Sequence, residues 1–185
     1  MHLYFAKPGS GKFCEREIRE LYNRAFPREE RAPFGLLKHW AKKKRADFYA
    51  VYERDRFVGM VHILRDAHVA YVFYLAICED MRGTGCGSAI LRFVKQKYRL
   101  QKIVLAIEPV DAPCDNLKER VRRKAFYRKN GFKETDFRAA EFGFVYEMLA
   151  YCANGEKLCA KEFERFGKNV MGRLLFKIMY RVNEI

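Results

Sequence analysis

Apolar residues recur along this chain in two periods. Cys14, Ile18, Leu21, Tyr22 and Ala25 fall at three- and four-residue steps, which places them on one helical face. Pro27 ends that pattern. Leu36, Leu37, Trp40 and Ala41 form a second helical stripe, closed by Lys42-Lys43-Lys44-Arg45, cations suited to a helix C-terminus. Residues 48–53 and 56–64 then read as strands joined by a tight turn at Arg54-Asp55. Arg65-Asp66 turns the chain into a third strand, Val69–Ile77, and three strands on short turns predict an antiparallel meander. Ahead of them, residues 2–6 predict a short edge strand.

Further on, Ile90, Phe93, Val94 and Tyr98 mark another helix. Residues 102–107, KIVLAI, are a continuous apolar run and predict a buried parallel strand with Glu108 at its C-terminal end. A loop over residues 109–115 follows. Asn116 is placed to cap a helix with Leu117, Val121 and Ala125 inward, and Asn130-Gly131 stops it. Residues 132–137 and 144–150 predict closing strands. Beyond them Cys159, Phe163, Phe166, Val170, Leu174, Ile178 and Val182 resume a helical stripe, which Gly167 and Gly172 bend or split. The fold class is mixed α/β (α+β): a mostly antiparallel central sheet flanked by helices. It divides as one domain over residues 1–150 and a basic amphipathic helical extension over residues 151–185.

Composition changes this picture little. Half of the 185 residues are hydrophobic and 15% aromatic, enough for a sizeable core. No apolar run reaches the roughly 18–20 residues of a membrane helix, and the N-terminus lacks the charged and apolar regions of a signal peptide. The six cysteines are scattered without a C-x-x-C pair. Reduced thiols in a cytoplasmic protein are therefore expected, with no metal site. The net charge of +14 favours anions in general. A nucleic acid, an acidic membrane surface and a polyphosphate cofactor all fit it, and charge alone does not single out nucleic acid. The basic extension is expected to dock on its own domain. Self-association through it is the next reading, so a homodimer stays open.

Charge gains meaning at one turn. After the strand ending at Ile77, the elbow Glu79-Asp80-Met81 leads into Arg82-Gly83-Thr84-Gly85-Cys86-Gly87-Ser88 and directly into a helix. Glycines adopt dihedrals closed to other residues, and the free N–H groups and positive dipole end of a helix favour an anion. A phosphate-bearing ligand is expected there. Two other motifs fail. Gly11-Lys12 lacks the earlier glycine of a phosphate loop, where Ala6 stands, and has Phe13 in place of the following Ser or Thr. Gly83-Thr84-Gly85 with Glu108 downstream imitates a dinucleotide fingerprint, but Ser88 replaces the third glycine and the preceding strand closes a meander.

The motif Arg82-Gly83-Thr84-Gly85-Cys86-Gly87, together with Ala125-Phe126-Tyr127-Arg128-Lys129-Asn130-Gly131-Phe132 some 40 residues on, resembles the GNAT superfamily of N-acetyltransferases over roughly residues 1–150. The resemblance implies acetyl-CoA as co-substrate and direct transfer of its acetyl group to a primary amine. The cofactor's pantetheine would run between the ends of the strands closing at Ile77 and Glu108, paired with the backbone of Leu75 and Ile77. Backbone groups of Arg82, Gly83, Thr84, Gly85, Cys86, Gly87 and Ser88 would cradle the pyrophosphate, with Asn116 a further cofactor contact. Cys86 reads as a small filler, since direct transfer needs no thiol nucleophile.

Two proton tasks remain in such a reaction. The resemblance makes Tyr127 the candidate acid for the departing thiolate, and Glu108, at the mouth of the expected gap, is the candidate base for the amine. Glu79, Asp80, His62 and His68 are alternatives for the base, as is bulk water. The resemblance places the acceptor beside the loops at residues 26–34 and 138–143, where Glu29, Glu30 and Glu141 would draw a cationic amine. A small-molecule amine is the expected acceptor. A protein N-terminus or lysine is the alternative, and a non-catalytic module binding CoA or nucleic acid is the reading of another class.

Overall fold

The computed structural model describes residues 1–111, 114–141 and 143–184, the last without its side chain. Parts of two loops read from the sequence, at residues 112–113 and at Phe142, lie outside the described residues. The elements in chain order are β1 (Leu3–Ala6), α1 (Glu15–Ala25), α2 (Phe34–Lys42), β2 (Ala46–Glu53), β3 (Arg56–Arg65), β4 (Val69–Ile77), α3 (Cys86–Lys97), β5 (Lys102–Ile107), α4 (Leu117–Lys129), β6 (Lys133–Glu141), β7 (Phe144–Tyr151), α5 (Ala160–Met171), α6 (Arg173–Met179) and β8 (Tyr180–Glu184). The strand order is β1-β2-β3-β4-β5-β7-β6-β8 in a mostly antiparallel sheet. No described helix is long and apolar enough to cross a membrane. The chain divides into two compact units, Met1–Arg65 with Val72–Lys97, and Asp66–Tyr71 with Tyr98–Ile185.

The first unit is the expected meander with its helices. Arg54, at φ 55°, makes the tight turn between β2 and β3. Helix α1 buries Ile18, Leu21 and Tyr22, the centre of its predicted stripe. Helix α2 stops at Lys42, three residues short of the end of the cation run, because Lys44 takes a left-handed conformation, φ 57°. His62 lies in β3 among the rings of Trp40, Phe48 and Phe73. Burial pulls its pKa down to about 4, and Nδ1 has no partner among the described residues. It is a neutral core histidine. His68 is exposed in the turn before β4 and does not lie on a strand.

In the second unit β7 inserts between β5 and β6, so the last two strands of the hairpin reverse their chain order in the sheet. Helix α5 docks through Phe163, Phe166 and Val170. Gly172, at φ 88°, then splits the expected continuous helix. Chain reversal there lays Phe176 on Gly167, where an added Cβ would sit 2.0 Å from the ring. The break also shifts the apolar phase. Phe176 and Met179 point inward, whereas Leu174 and Ile178, expected inward, are 75% and 72% exposed. The stripe then ends in a strand, β8, which pairs antiparallel with β6.

A second correction concerns α4. Its expected inner stripe faces out, with Leu117 46% and Val121 51% exposed and Ala125 exposed as well. The side chains of Arg120 and Lys124, at 17% and 16%, are more covered than those aliphatics. Acidic partners cause the inversion. Lys124 Nζ reaches Glu147 at 2.6 Å and Glu134 at 3.3 Å, and Arg128 pairs with Glu134.

Candidate active site

In the first unit, one turn of 3-10 helix over Glu79–Met81 carries the chain from β4 into the glycine loop. Asp80 is taken by Arg56, and Glu79 lies 3.7 Å from Arg82. Both acids are largely exposed. Gly83 and Gly85 have φ of 79° and 92°, values that L side chains rarely adopt. A Cβ built at either meets nothing within 4 Å, so conformation, not crowding within the protein, requires glycine, and the open side is free for a ligand. Thr84 Oγ1 donates to the Met81 carbonyl at 2.8 Å and fixes the loop from below.

Helix α3 begins at Cys86, and its first internal bond runs from the Ala89 N–H to the Gly85 carbonyl, 3.0 Å. The N–H groups of Cys86, Gly87 and Ser88 therefore lie outside the helical ladder, at the positive dipole end. Cys86 is buried, with Sγ 3.3 Å from both Thr84 Oγ1 and Met1 Sδ. Leu75 and Ile77 are half-buried on either side of buried Ala76. Gly59 is indispensable beside them, since a Cβ there would lie 2.5 Å from the Ala76 carbonyl oxygen. The loop at residues 26–34 is pinned by two tyrosines. Tyr22 donates to the Ala32 carbonyl and Tyr74 to the Glu30 carbonyl, both at 2.9 Å, while the Ala32 N–H donates to the Tyr74 hydroxyl. Within that loop Glu29 is exposed and Glu30 half-buried.

In the second unit, Glu108 follows β5 and is met by two cations of α4 and by its cap residue, Asn116. Arg123 pairs with Oε2, and Arg120 Nε and Asn116 Nδ2 each lie 3.4 Å from Oε1. Asn116 occupies the cap position of α4, but its side chain makes no cap bond and instead accepts from Arg120 Nε at 2.8 Å. Tyr127 lies one turn beyond Arg123, its ring edge-on to Phe126 and Phe132. Burial raises its hydroxyl above the ordinary tyrosine range, and the Arg123 charge opposes that rise. Gly131, at φ 86°, ends α4 as expected.

Glu141 is a buried group, not a surface charge. It is 7% exposed and accepts from the Tyr71 hydroxyl at 3.0 Å and the Tyr180 hydroxyl at 2.6 Å. Burial, then the carboxylate's charge, keep both phenols protonated well above their usual range. This cluster and the Arg120–Glu108–Arg123 set were not foreseen from the sequence. The second had a signal: Asn116, Arg120, Arg123 and Tyr127 recur at helical spacing. A groove of about 480 Å³ lies beside α4, lined by Val110, Val121, Lys124, Ala125 and Arg128. No group of three or more potential metal ligands occurs among the described residues.

Known proteins point the same way. YjbC of Bacillus subtilis (strain 168) is 34% identical over 94 residues, which are 49% of this chain and 44% of that relative, so the likeness spans less than half of the relative's length. A GNAT-family structure from Bacteroides thetaiotaomicron superposes with a TM-score of 0.71 at 18% identity, covering 95% of this chain and 98% of that one. A GNAT acetyltransferase from Elizabethkingia anophelis, with acetyl-CoA bound, gives 0.57 at 14% identity over 80% and 95% of the two chains. A mutant form of the spermidine N-acetyltransferase SpeG of Vibrio cholerae gives 0.60 at 14% over 82% and 94%. The profile of the acetyltransferase (GNAT) domain matches residues 44–134, a stretch that contains the glycine loop, Glu108 and Tyr127. Residues 44–134 of this chain thus match the acetyltransferase (GNAT) domain, and its fold is that of GNAT-family structures.

Proposed function

We propose that this chain is an acetyl-CoA-dependent N-acetyltransferase acting on the primary amine of a small molecule. The glycine loop carries the reading. Residues 82–88 combine two left-handed glycines, an open side and the unladdered N–H groups of a helix start, which fits a pyrophosphate. Acetyl-CoA supplies an activated thioester. Loop N–H groups and Arg82 bind its phosphates, and the Tyr127 hydroxyl gives a proton to the departing sulfur. Both oxygens of Glu108 are already engaged, so the proton leaving the attacking amine is assigned to water. The SpeG likeness supports a small amine as acceptor. A cytoplasmic location accords with the six free cysteines.

Calorimetry with acetyl-CoA tests the reading directly. The wild-type chain is expected to bind, and Gly85→Glu to lose binding, since it adds a strained side chain and a negative charge at the cradle. Absence of binding at millimolar acetyl-CoA overturns the reading. Tyr127→Phe should keep binding and slow thiol release with an accepted amine by ~10²-fold or more. A panel of polyamines, aminoglycosides and amino acids in that assay identifies the acceptor.

A further inference from the structure

Helix α4 carries Tyr127, whose ring packs on Phe126 and Phe132, but none of its residues is fully buried. This partial apolar contact leaves its rotation and its height along β5 to be set largely by charge. Asn116, Arg120, Arg123 and Tyr127 stand at i, i+4, i+7 and i+11, one stripe down the helix. Three of the four converge on Glu108, at the end of β5. Arg120 is further tied to the Pro109 carbonyl at 3.0 Å, so the loop after β5 joins the same set. The Glu108 side chain is 19% exposed and Arg120 17%, which limits screening by solvent.

We propose that Glu108 is a positioning residue of the transfer reaction: by clamping Arg120 and Arg123 it sets α4 on β5 and so places the Tyr127 hydroxyl. The proposal rests on the reading of Tyr127 as the acid. It replaces the expected role of Glu108 as base, because taking up a proton would dissolve the clamp. Arg123 has a second effect, since its charge opposes the rise that burial imposes on the Tyr127 hydroxyl.

A double-mutant cycle in kcat at saturating acetyl-CoA decides the matter. Glu108→Gln is expected to lower kcat ~10- to 100-fold through misplacement, with KM for acetyl-CoA little changed. In the Tyr127→Phe background the same change should cost less than ~2-fold, because the group it places is gone. Glu108→Asp, which keeps the charge, should recover part of the loss. The acidic limb of the pH profile should stay where it was in Glu108→Gln. Fully multiplicative losses, or disappearance of the acidic limb, overturn the clamp and restore Glu108 as base. Unchanged turnover of Tyr127→Phe alone overturns the acid reading and the clamp with it. Should Glu108→Gln fold poorly, Arg123→Gln, whose side chain is 46% exposed, runs through the same cycle with the same expectation.

Discussion

Helices α3 and α4 carry the two halves of the proposed chemistry and are held by opposite means. Helix α3 buries Cys86, Ile90, Leu91 and Val94, each at 1% exposure or less. Helix α4 fully buries no residue and turns its aliphatics to solvent, while its cations lie against Glu108, Glu134 and Glu147. The phosphate cradle thus begins on an element fixed by apolar burial, which is insensitive to salt and nearly so to pH. Tyr127 rides on an element fixed by directed charge, where single side chains set angle and register. Binding a pyrophosphate needs a rigid set of N–H groups. Placing a proton donor needs orientation, which ion pairs of fixed geometry supply.

The comparison breaks most visibly under truncation. Ile90 is fully buried, so Ile90→Ala should cost about 2–5 kcal/mol in denaturant unfolding. Val121 stands at an equivalent apolar position of the α4 pattern but is half in solvent, and Val121→Ala should stay within about 0.5 kcal/mol. Equal costs would mean that α4 is packed apolar side inward and that the contrast is false.

Acid separates the two regions next. In the first unit one buried titratable group is His62, held neutral with a pKa of about 4. Its folded pKa lies below the unfolded value near 6.5. The unfolded chain therefore binds more protons between those limits, and stability falls as pH drops from 6.5 to 4, by about 3 kcal/mol. Around α4 the sign is the same but the window is lower. Glu134, although burial favours its neutral form, is held below the ordinary carboxylate range by Arg128 and Lys124. The stability it contributes is present above the unfolded pKa and is lost only as pH falls through the depressed folded one. Acid titration of stability should therefore show a leg between pH 6.5 and 4 that His62→Leu flattens. A leg unchanged in His62→Leu would assign it to other groups.

The same contrast explains what could be read from the chain beforehand. Ile90 and Val94 announced α3 because apolar burial writes a periodic pattern. The glycine loop was legible because Gly83 and Gly85 meet a backbone demand that few other residues satisfy. At α4 the aliphatic stripe Leu117, Val121, Ala125 is equally periodic and pointed the wrong way. Its true inner face is a stripe of cations, and a cation on a helix looks solvated until the acids that meet it are known. Those acids come from the end of β5, from β6 and from β7; even where one is near in sequence, as Glu134 is to Arg128, it lies across a turn on a different element, and Glu147 is 23 residues from Lys124. Beyond Gly172 the failure was one of phase: Phe176 needs the flat surface of Gly167, and reaching it rotates Leu174 and Ile178 outward. Tyr71, Glu141 and Tyr180 were invisible for the reason that applied to α4, being up to 109 positions apart in sequence yet hydrogen-bonded in space.

Salt gives the smallest effect and the most selective one. The Debye length shrinks from about 10 Å at 0.1 M to about 3 Å at 1 M. Pairs such as Arg128–Glu134, with side chains 58% and 33% exposed, are worth at most about 1 kcal/mol and lose most of that at high salt. The Lys124–Glu147 pair, at 16% and 12%, is shielded from the ions and should persist. Native-state hydrogen exchange in roughly 0.1 and 1 M sodium chloride reads both at once, since amide protection reports local opening. Protection of the last turn of α4 should fall by roughly fivefold in the higher salt, the turn around Lys124 by less, and α3 not at all. A uniform change along both helices would show global destabilisation in place of local release. A change in α3 alone would reverse the assignment of which helix is held by charge, and with it the basis for placing Tyr127 through Glu108.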